Sequence, residues 1–160
     1  MKTIYLAGGC FWGVEHFFAG ANGIISTEAG YANGKTSNPS YEDVRYMASG
    51  HAETVKVIYD ENILSLSLII SKFMSVIDPY SINKQGEDVG ISYRSGIYYT
   101  DSSDLNCILN EIEKYNVDGK KCAVEVLPLS NFYPAEEYHQ KYLEKNPGGY
   151  CHIKLRFEDK

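Results

Sequence analysis

A chain of 160 residues with 44% hydrophobic and 22% charged side chains has the size of one compact domain, residues 1–160, with its own core. Its formal charge of -6 comes without any cluster of lysine and arginine, which excludes a phosphate-backbone footprint and an anionic-membrane patch. The opening Met1-Lys2-Thr3 leads into only a short apolar run, and no later stretch is long enough to span a bilayer, so the expected location is the cytoplasm.

In chain order, Thr3 to Ala7 predicts a short buried strand ended by Gly8-Gly9, and Val14, Phe17 and Phe18 then have helical spacing. Ile24 to Ala32 predicts a second strand, Asn33 to Ser40 a polar loop, and Tyr41 to Met47 a short helix. Glu53 to Tyr59 alternates, with Glu53, Val55, Val57 and Tyr59 on one face. Ser65 to Val76 carries Leu66, Ile69, Ile70 and Phe73 at helical spacing and must stop before Asp78-Pro79.

Pro79 to Arg94 reads as a long irregular loop, Gly96 to Thr100 as a strand, and the stretch to about Tyr115 as a helix opened by Asp101, Ser102 or Ser103. A strand over Ala123 to Leu127, a helix over Pro134 to Glu144 and a strand over Cys151 to Phe157 complete the pattern. Strands interleaved with helices imply an α/β (α+β) single domain with a mixed β-sheet covered by helices.

The four cysteines, Cys10, Cys107, Cys122 and Cys151, include no C-x-x-C pair, which disfavours a zinc site and a thioredoxin-type motif. Cys10 stands out because it lies where a strand turns into a helix, in Gly8-Gly9-Cys10-Phe11-Trp12-Gly13. Unpaired N–H groups and the positive dipole end at a helix start favour thiolate over thiol, although a buried, inert cysteine after a glycine turn fits the same pattern. Phe11 and Trp12 cannot share one helix face, so one ring is free to wall a pocket unless both pack in the core.

Glu53 shares the face of Val55 and Val57, where desolvation would raise its pKa and make it a general acid; a solvated carboxylate at a strand start is the alternative. His51 and His139 invite a cysteine–histidine hydrolase, or are structural. The polar loop Gln85 to Ser95 and the residue Tyr41 are placed to deliver side chains to a site, but with 14 tyrosines neither Tyr41 nor Tyr93 is distinctive alone.

The ordered set Gly9-Cys10-Phe11-Trp12-Gly13, Asn38-Pro39-Ser40-Tyr41, Gly50-His51-Ala52-Glu53, Gln85-Gly86-Glu87-Asp88, Tyr93-Arg94-Ser95, Ala135 to Gln140 and Asn146 to Cys151 resembles the A-type peptide methionine sulfoxide reductases over nearly the whole chain. Glu87, Ile91-Ser92 and Tyr31-Ala32-Asn33-Gly34 depart from the family's common residues without removing a catalytic group. The resemblance implies a ferredoxin-like fold and reduction of the S epimer of methionine sulfoxide, free or in proteins.

By that resemblance Cys10 is the nucleophile, Glu53 the acid that protonates the sulfoxide oxygen, and Tyr41 and Tyr93 the hydroxyls that bind it. Phe11 and Trp12 hold the substrate methyl group, and Asp88 anchors the substrate near its backbone. A Cys10 sulfenic acid would be resolved by Cys151 and recycled by an external dithiol such as thioredoxin, with no metal and no bound cofactor. No glycine-rich tail with a further cysteine follows Cys151, which leaves a one-cysteine cycle open; a monomer is expected. The competing readings are a cysteine hydrolase or acyltransferase, and a non-catalytic module that binds oxidised methionine.

Overall fold

The computed structural model describes residues 1–46, 49–149, 153 and 157. In chain order β1 (Lys2–Gly8), α1 (Phe11–Phe18), β2 (Ile24–Ala32), α2 (Tyr41–Tyr46), β3 (Ala52–Tyr59) and α3 (Leu66–Val76) form the first half. The second half holds a hairpin of β4 (Lys84–Gln85) and β5 (Asp88–Val89), then β6 (Ser95–Tyr99), α4 (Leu105–Glu113), β7 (Glu125–Pro128), β8 (Phe132–Pro134) and α5 (Tyr142–Lys145).

β1 is buried from Ile4 onward because it has sheet neighbours on both edges, β3 and β6, each antiparallel. Among the described residues the order is β7-β6-β1-β3-β2-β8, with β6 and β7 the one parallel pair, so the sheet is mixed. Alternation along the strands sends Ile4, Leu6, Val55 and Val57 to one face, where Val14, Phe17 and Phe18 of α1 and Ile69, Ile70 and Phe73 of α3 cover them. Each such side chain contributes about 1.5–3 kcal/mol by leaving water. Tyr5, Ala7, Ala32, Ala52 and Tyr98 form a smaller cluster against Leu129 and Phe132.

α3 starts where Ser65 accepts a hydrogen bond from the Leu68 N–H (3.1 Å) and ends at Ile77, whose extended backbone precedes Asp78-Pro79. The expected helix from Asp101 opens instead as a 3-10 turn, Ser102–Asp104, before α4, with the Asp101 carboxylate accepting from the Ser103 N–H. The strand expected over Ala123 to Leu127 is displaced to Glu125–Pro128.

Two expectations need larger correction. The span Pro79 to Arg94 is not wholly irregular: it folds into the β4–β5 hairpin and a 3-10 turn, Ile91–Tyr93. Gln85, 2% exposed, pins it by accepting from the Asp78 N–H (2.9 Å) and donating to Asp78 O (2.8 Å) and Ser95 Oγ (3.0 Å). Nor is Pro134 to Glu144 a helix; it comprises the end of β8, a 3-10 turn over Glu137–His139, and α5.

Tertiary bonds override the helical pattern there. The Gln140 amide accepts from Ala29 N–H and donates to Ala29 O and Ala135 O, at 2.8, 2.8 and 3.0 Å, which ties the segment to the edge of β2. Lys141 takes a left-handed conformation (φ 50°) with its N–H donating to buried Glu15 (2.7 Å). Cys151 and most of the expected Cys151 to Phe157 strand lie outside the described residues, as does Met47 at the end of the expected Tyr41 helix.

The turn from β1 to α1 needs its two glycines for different reasons. Gly9 has φ 85°, and a Cβ on Gly8 would sit 2.8 Å from the Phe73 ring and 2.9 Å from Ile77. Gly8→Ala is therefore expected to cost about 1–3 kcal/mol, the range for overpacking a core, read as a lower midpoint with unchanged slope in urea unfolding. A midpoint equal to the parent's would show that α3 can move away without loss.

Candidate active site

Cys10 occupies the N-cap position of α1 (φ -59°, ψ 125°) and is 8% exposed. Its side chain makes no capping hydrogen bond to the helix's first N–H groups, and the positive dipole end at that position favours thiolate character. One of these donors is engaged from the sheet: the Phe11 N–H donates to Glu53 Oε1 at 3.2 Å. The strand period of two is what aims Glu53 at α1, since Val55, Val57 and Tyr59 on the same side belong to the helix-covered core.

Glu53 is 1% exposed, and its Oε2 has no hydrogen-bond partner among the described residues. Burial pushes its carboxyl up to about 8; the Phe11 N–H opposes this, the Asp88 charge adds to it, and Arg45 works against it. The group is therefore a protonated acid at neutral pH, as the face it shares with Val55 and Val57 suggests.

Cys10, Phe11, Trp12, Tyr41, Glu53, Asp88 and Tyr93 line one cavity of about 190 Å³, together with Arg45 and Tyr46. That is below the roughly 300–1,000 Å³ typical of drug-sized ligand sites and suits a single side chain. Tyr41 arrives as the first residue of α2 and Tyr93 as the last of the 3-10 turn beside β6. Burial raises both phenols above their ordinary range, with Glu53 adding to each, and the two interact with one another, so both remain hydrogen-bond donors.

Trp12 is oriented by two contacts. Its indole N–H donates to His139 Nδ1 (3.0 Å), and its ring stacks on Tyr142 at 3.7 Å and 10°. His139, 2% exposed, also touches the rings of Phe11 (5.1 Å) and Tyr41 (4.9 Å), and burial lowers its pKa, so it is a neutral acceptor. His51 is likewise held down by burial, its Nε2 lying 2.8 Å from Thr36 O. Neither histidine lines the Cys10 cavity, which removes the basis for a cysteine–histidine hydrolase.

Burial pushes the thiols of Cys107 and Cys122 up, away from thiolate character. Arg45 and Tyr46 are the cavity residues that sequence reasoning missed. The Arg45 guanidinium lies 5.0 Å from the Tyr93 ring centre. The signal was present in the spacing, because Arg45 is four residues after Tyr41 on one short helix and so shares its side. No helix among the described residues is long and apolar enough to cross a membrane.

This cavity is equipped for thiol chemistry assisted by an uncharged proton donor. The family model for peptide methionine sulfoxide reductase matches residues 2–160. The chain is 61% identical over 156 residues to the peptide methionine sulfoxide reductase MsrA of Clostridium perfringens (strain 13), covering 97% of this chain and 99% of that protein. Among solved structures, Mxr1 from Saccharomyces cerevisiae in reduced form is similar at a TM-score of 0.90 and 38% identity, covering 97% of this chain and 92% of that one. The same yeast protein in complex with Trx2 is similar at a TM-score of 0.64 and 27% identity, covering 97% and 89%. The chain belongs to the peptide methionine sulfoxide reductases, of the A type, enzymes that reduce methionine sulfoxide to methionine.

The Glu53 pKa has a consequence for stability that can be signed. Its folded value of about 8 lies above the ordinary 4.5, so between these limits the folded state holds the extra proton and stability falls as pH rises. Glu53→Gln keeps the acceptor for Phe11 without the ionisation. We expect it to raise the Tm relative to the parent by about 3–6 °C at pH 8 and by much less at pH 5. An equal shift at both pH values in calorimetry would refute the buried-acid account.

Proposed function

We propose that residues 1–160 act as one cytoplasmic methionine sulfoxide reductase domain, specific for the S epimer and using Cys10 as its nucleophile. The observation that carries this reading is a buried, neutral Glu53 bonded to the first turn of the helix that Cys10 begins, on a cavity shared with two phenols. A sulfoxide sulfur is a poor electrophile until its oxygen is protonated or hydrogen-bonded. Tyr41 and Tyr93 donate hydrogen bonds to that oxygen, and Glu53 delivers a proton to it.

The Cys10 thiolate then attacks the activated sulfur. The new Sγ–S bond and the S–O bond of the substrate then break as the protonated oxygen passes to Cys10 and methionine leaves, so the sulfoxide is reduced by two electrons and Cys10 is oxidised to a sulfenic acid. Phe11 and Trp12 hold the methyl group, an assignment supported by the fixed tilt of Trp12 between His139 and Tyr142. Asp88 anchors the substrate backbone. The Cys151 thiol condenses with the sulfenic acid, releasing water and forming a disulfide, which a dithiol reduces. Thioredoxin is the proposed reductant, supported by the solved complex of the similar yeast protein with Trx2.

Mass spectrometry of the reduced enzyme after one equivalent of each sulfoxide epimer tests activity, stereochemistry and thiol fate together. The S epimer should yield one methionine and a Cys10–Cys151 disulfide, and Cys151→Ser should stop at an oxygen adduct on Cys10. Cys10→Ser is expected to abolish turnover, and Glu53→Gln to slow the chemical step about 10- to 1000-fold. Full activity in either variant, or equal use of both epimers, would count against the mechanism. Unimpaired recycling of Cys151→Ser by thioredoxin would remove Cys151 from the cycle.

A further inference from the structure

Beside the catalytic cavity lies a second, of about 480 Å³, whose lining includes Lys35, Arg45, Tyr46, His51 and Ile91. Arg45 and Tyr46 belong to both, so the two cavities share a wall. A substrate polypeptide whose oxidised methionine enters the smaller one has its neighbouring residues at the mouth of the larger.

The charge of this second cavity runs against that of the chain. The sequence has 21 acidic and 15 basic residues, yet among the described residues the charged side chains that line the cavity are Lys35 and Arg45, both cations. Burial keeps His51 neutral. Among the described residues, neither Lys35 nor Arg45 has a carboxylate within ion-pair distance. The Arg45 guanidinium is held over the rings of Tyr93 (5.0 Å) and Tyr46 (5.4 Å). Lys35 is exposed; its backbone N–H donates to Ser49 O (2.8 Å), which fixes where its side chain leaves the chain, and its stem passes near Gly50. Tyr46 and Ile91, 69% and 57% exposed, add apolar surface at the rim.

We infer that this groove is a subsite for an acidic side chain adjacent in sequence to the oxidised methionine, so that the favoured substrates are polypeptides carrying Asp or Glu beside methionine sulfoxide. The two cations supply the complementary charge, and the exposed rings and Ile91 cover the aliphatic part of the flanking residues. This deepens the proposed function and rests on it.

The test uses pentapeptides with central S-sulfoxide methionine and either Glu or its neutral isostere Gln at each of the four flanking positions, with excess dithiothreitol as reductant. At about 20 mM ionic strength, Glu in at least one position should raise kcat/KM about 3- to 10-fold over Gln, through KM, and the advantage should fade at about 0.5 M salt. Lys35→Glu should invert the Glu-to-Gln ratio at that position and Lys35→Arg should keep it. Equal turnover of Glu and Gln peptides at every position would overturn the subsite, as would a Lys35→Glu change confined to the KM for thioredoxin. If no peptide is reduced while the parent protein is folded, the reductase reading itself fails first.

Discussion

The hydrogen bond from the Phe11 N–H to the Glu53 carboxyl joins the first turn of α1 to the second residue of β3, and the site is organised around the group it buries. An ionised carboxylate at 1% exposure, with one oxygen satisfied by a single neutral donor, would be costly to hold in the folded state. The molecule resolves that cost by keeping the proton, and so places an uncharged acid on the cavity that Cys10 also lines. The stability given up as pH rises is the counterpart of having that proton available at neutral pH.

Glu136 shows how differently the same kind of side chain behaves nearby. Burial works against its charge too, yet the Tyr41 N–H (2.9 Å) and the Tyr31 hydroxyl (2.8 Å) both donate to it and hold its carboxyl below the usual range. Tyr31 lies directly opposite Glu53 in the β2–β3 register. An ionised carboxylate and a neutral one are thus set near the same strand pair, the first fixing where Tyr41 enters and the second keeping its proton. Two things separate them: Glu53 is the more deeply buried, and Glu136 receives more donors.

The remaining parts of the site are delivered by loops, and each loop is locked by a side-chain amide. Gln85 holds the hairpin that presents Asp88 and precedes Tyr93, and Gln140 holds the segment that carries His139 and Tyr142 to Trp12. Side-chain amides used this way engage both donor and acceptor, so they specify one loop conformation more strictly than apolar packing could. The indole of Trp12 depends on a neutral His139 for its orientation, which makes that histidine a support for the pocket wall.

Much of this was legible in the amino-acid order. The apolar run ended by Gly8-Gly9 puts Cys10 at the start of a helix, and the alternation of Glu53, Val55 and Val57 places a carboxyl on the core side, because strand and helix periods are properties of the backbone itself. Tertiary structure decided what no local pattern contains. The segment from Pro134 to Glu144 abandons the helix its composition favours for bonds to Ala29 and Glu15, more than 100 positions away in the chain. Glu53 becomes a neutral acid only where the fold buries it and brings Asp88 near, against the pull of the Phe11 N–H and Arg45, and Trp12 acquires a fixed tilt only when His139 arrives. Solvation and partner count are set by residues distant in sequence, so ionisation states and side-chain orientations emerge only once the chain has folded.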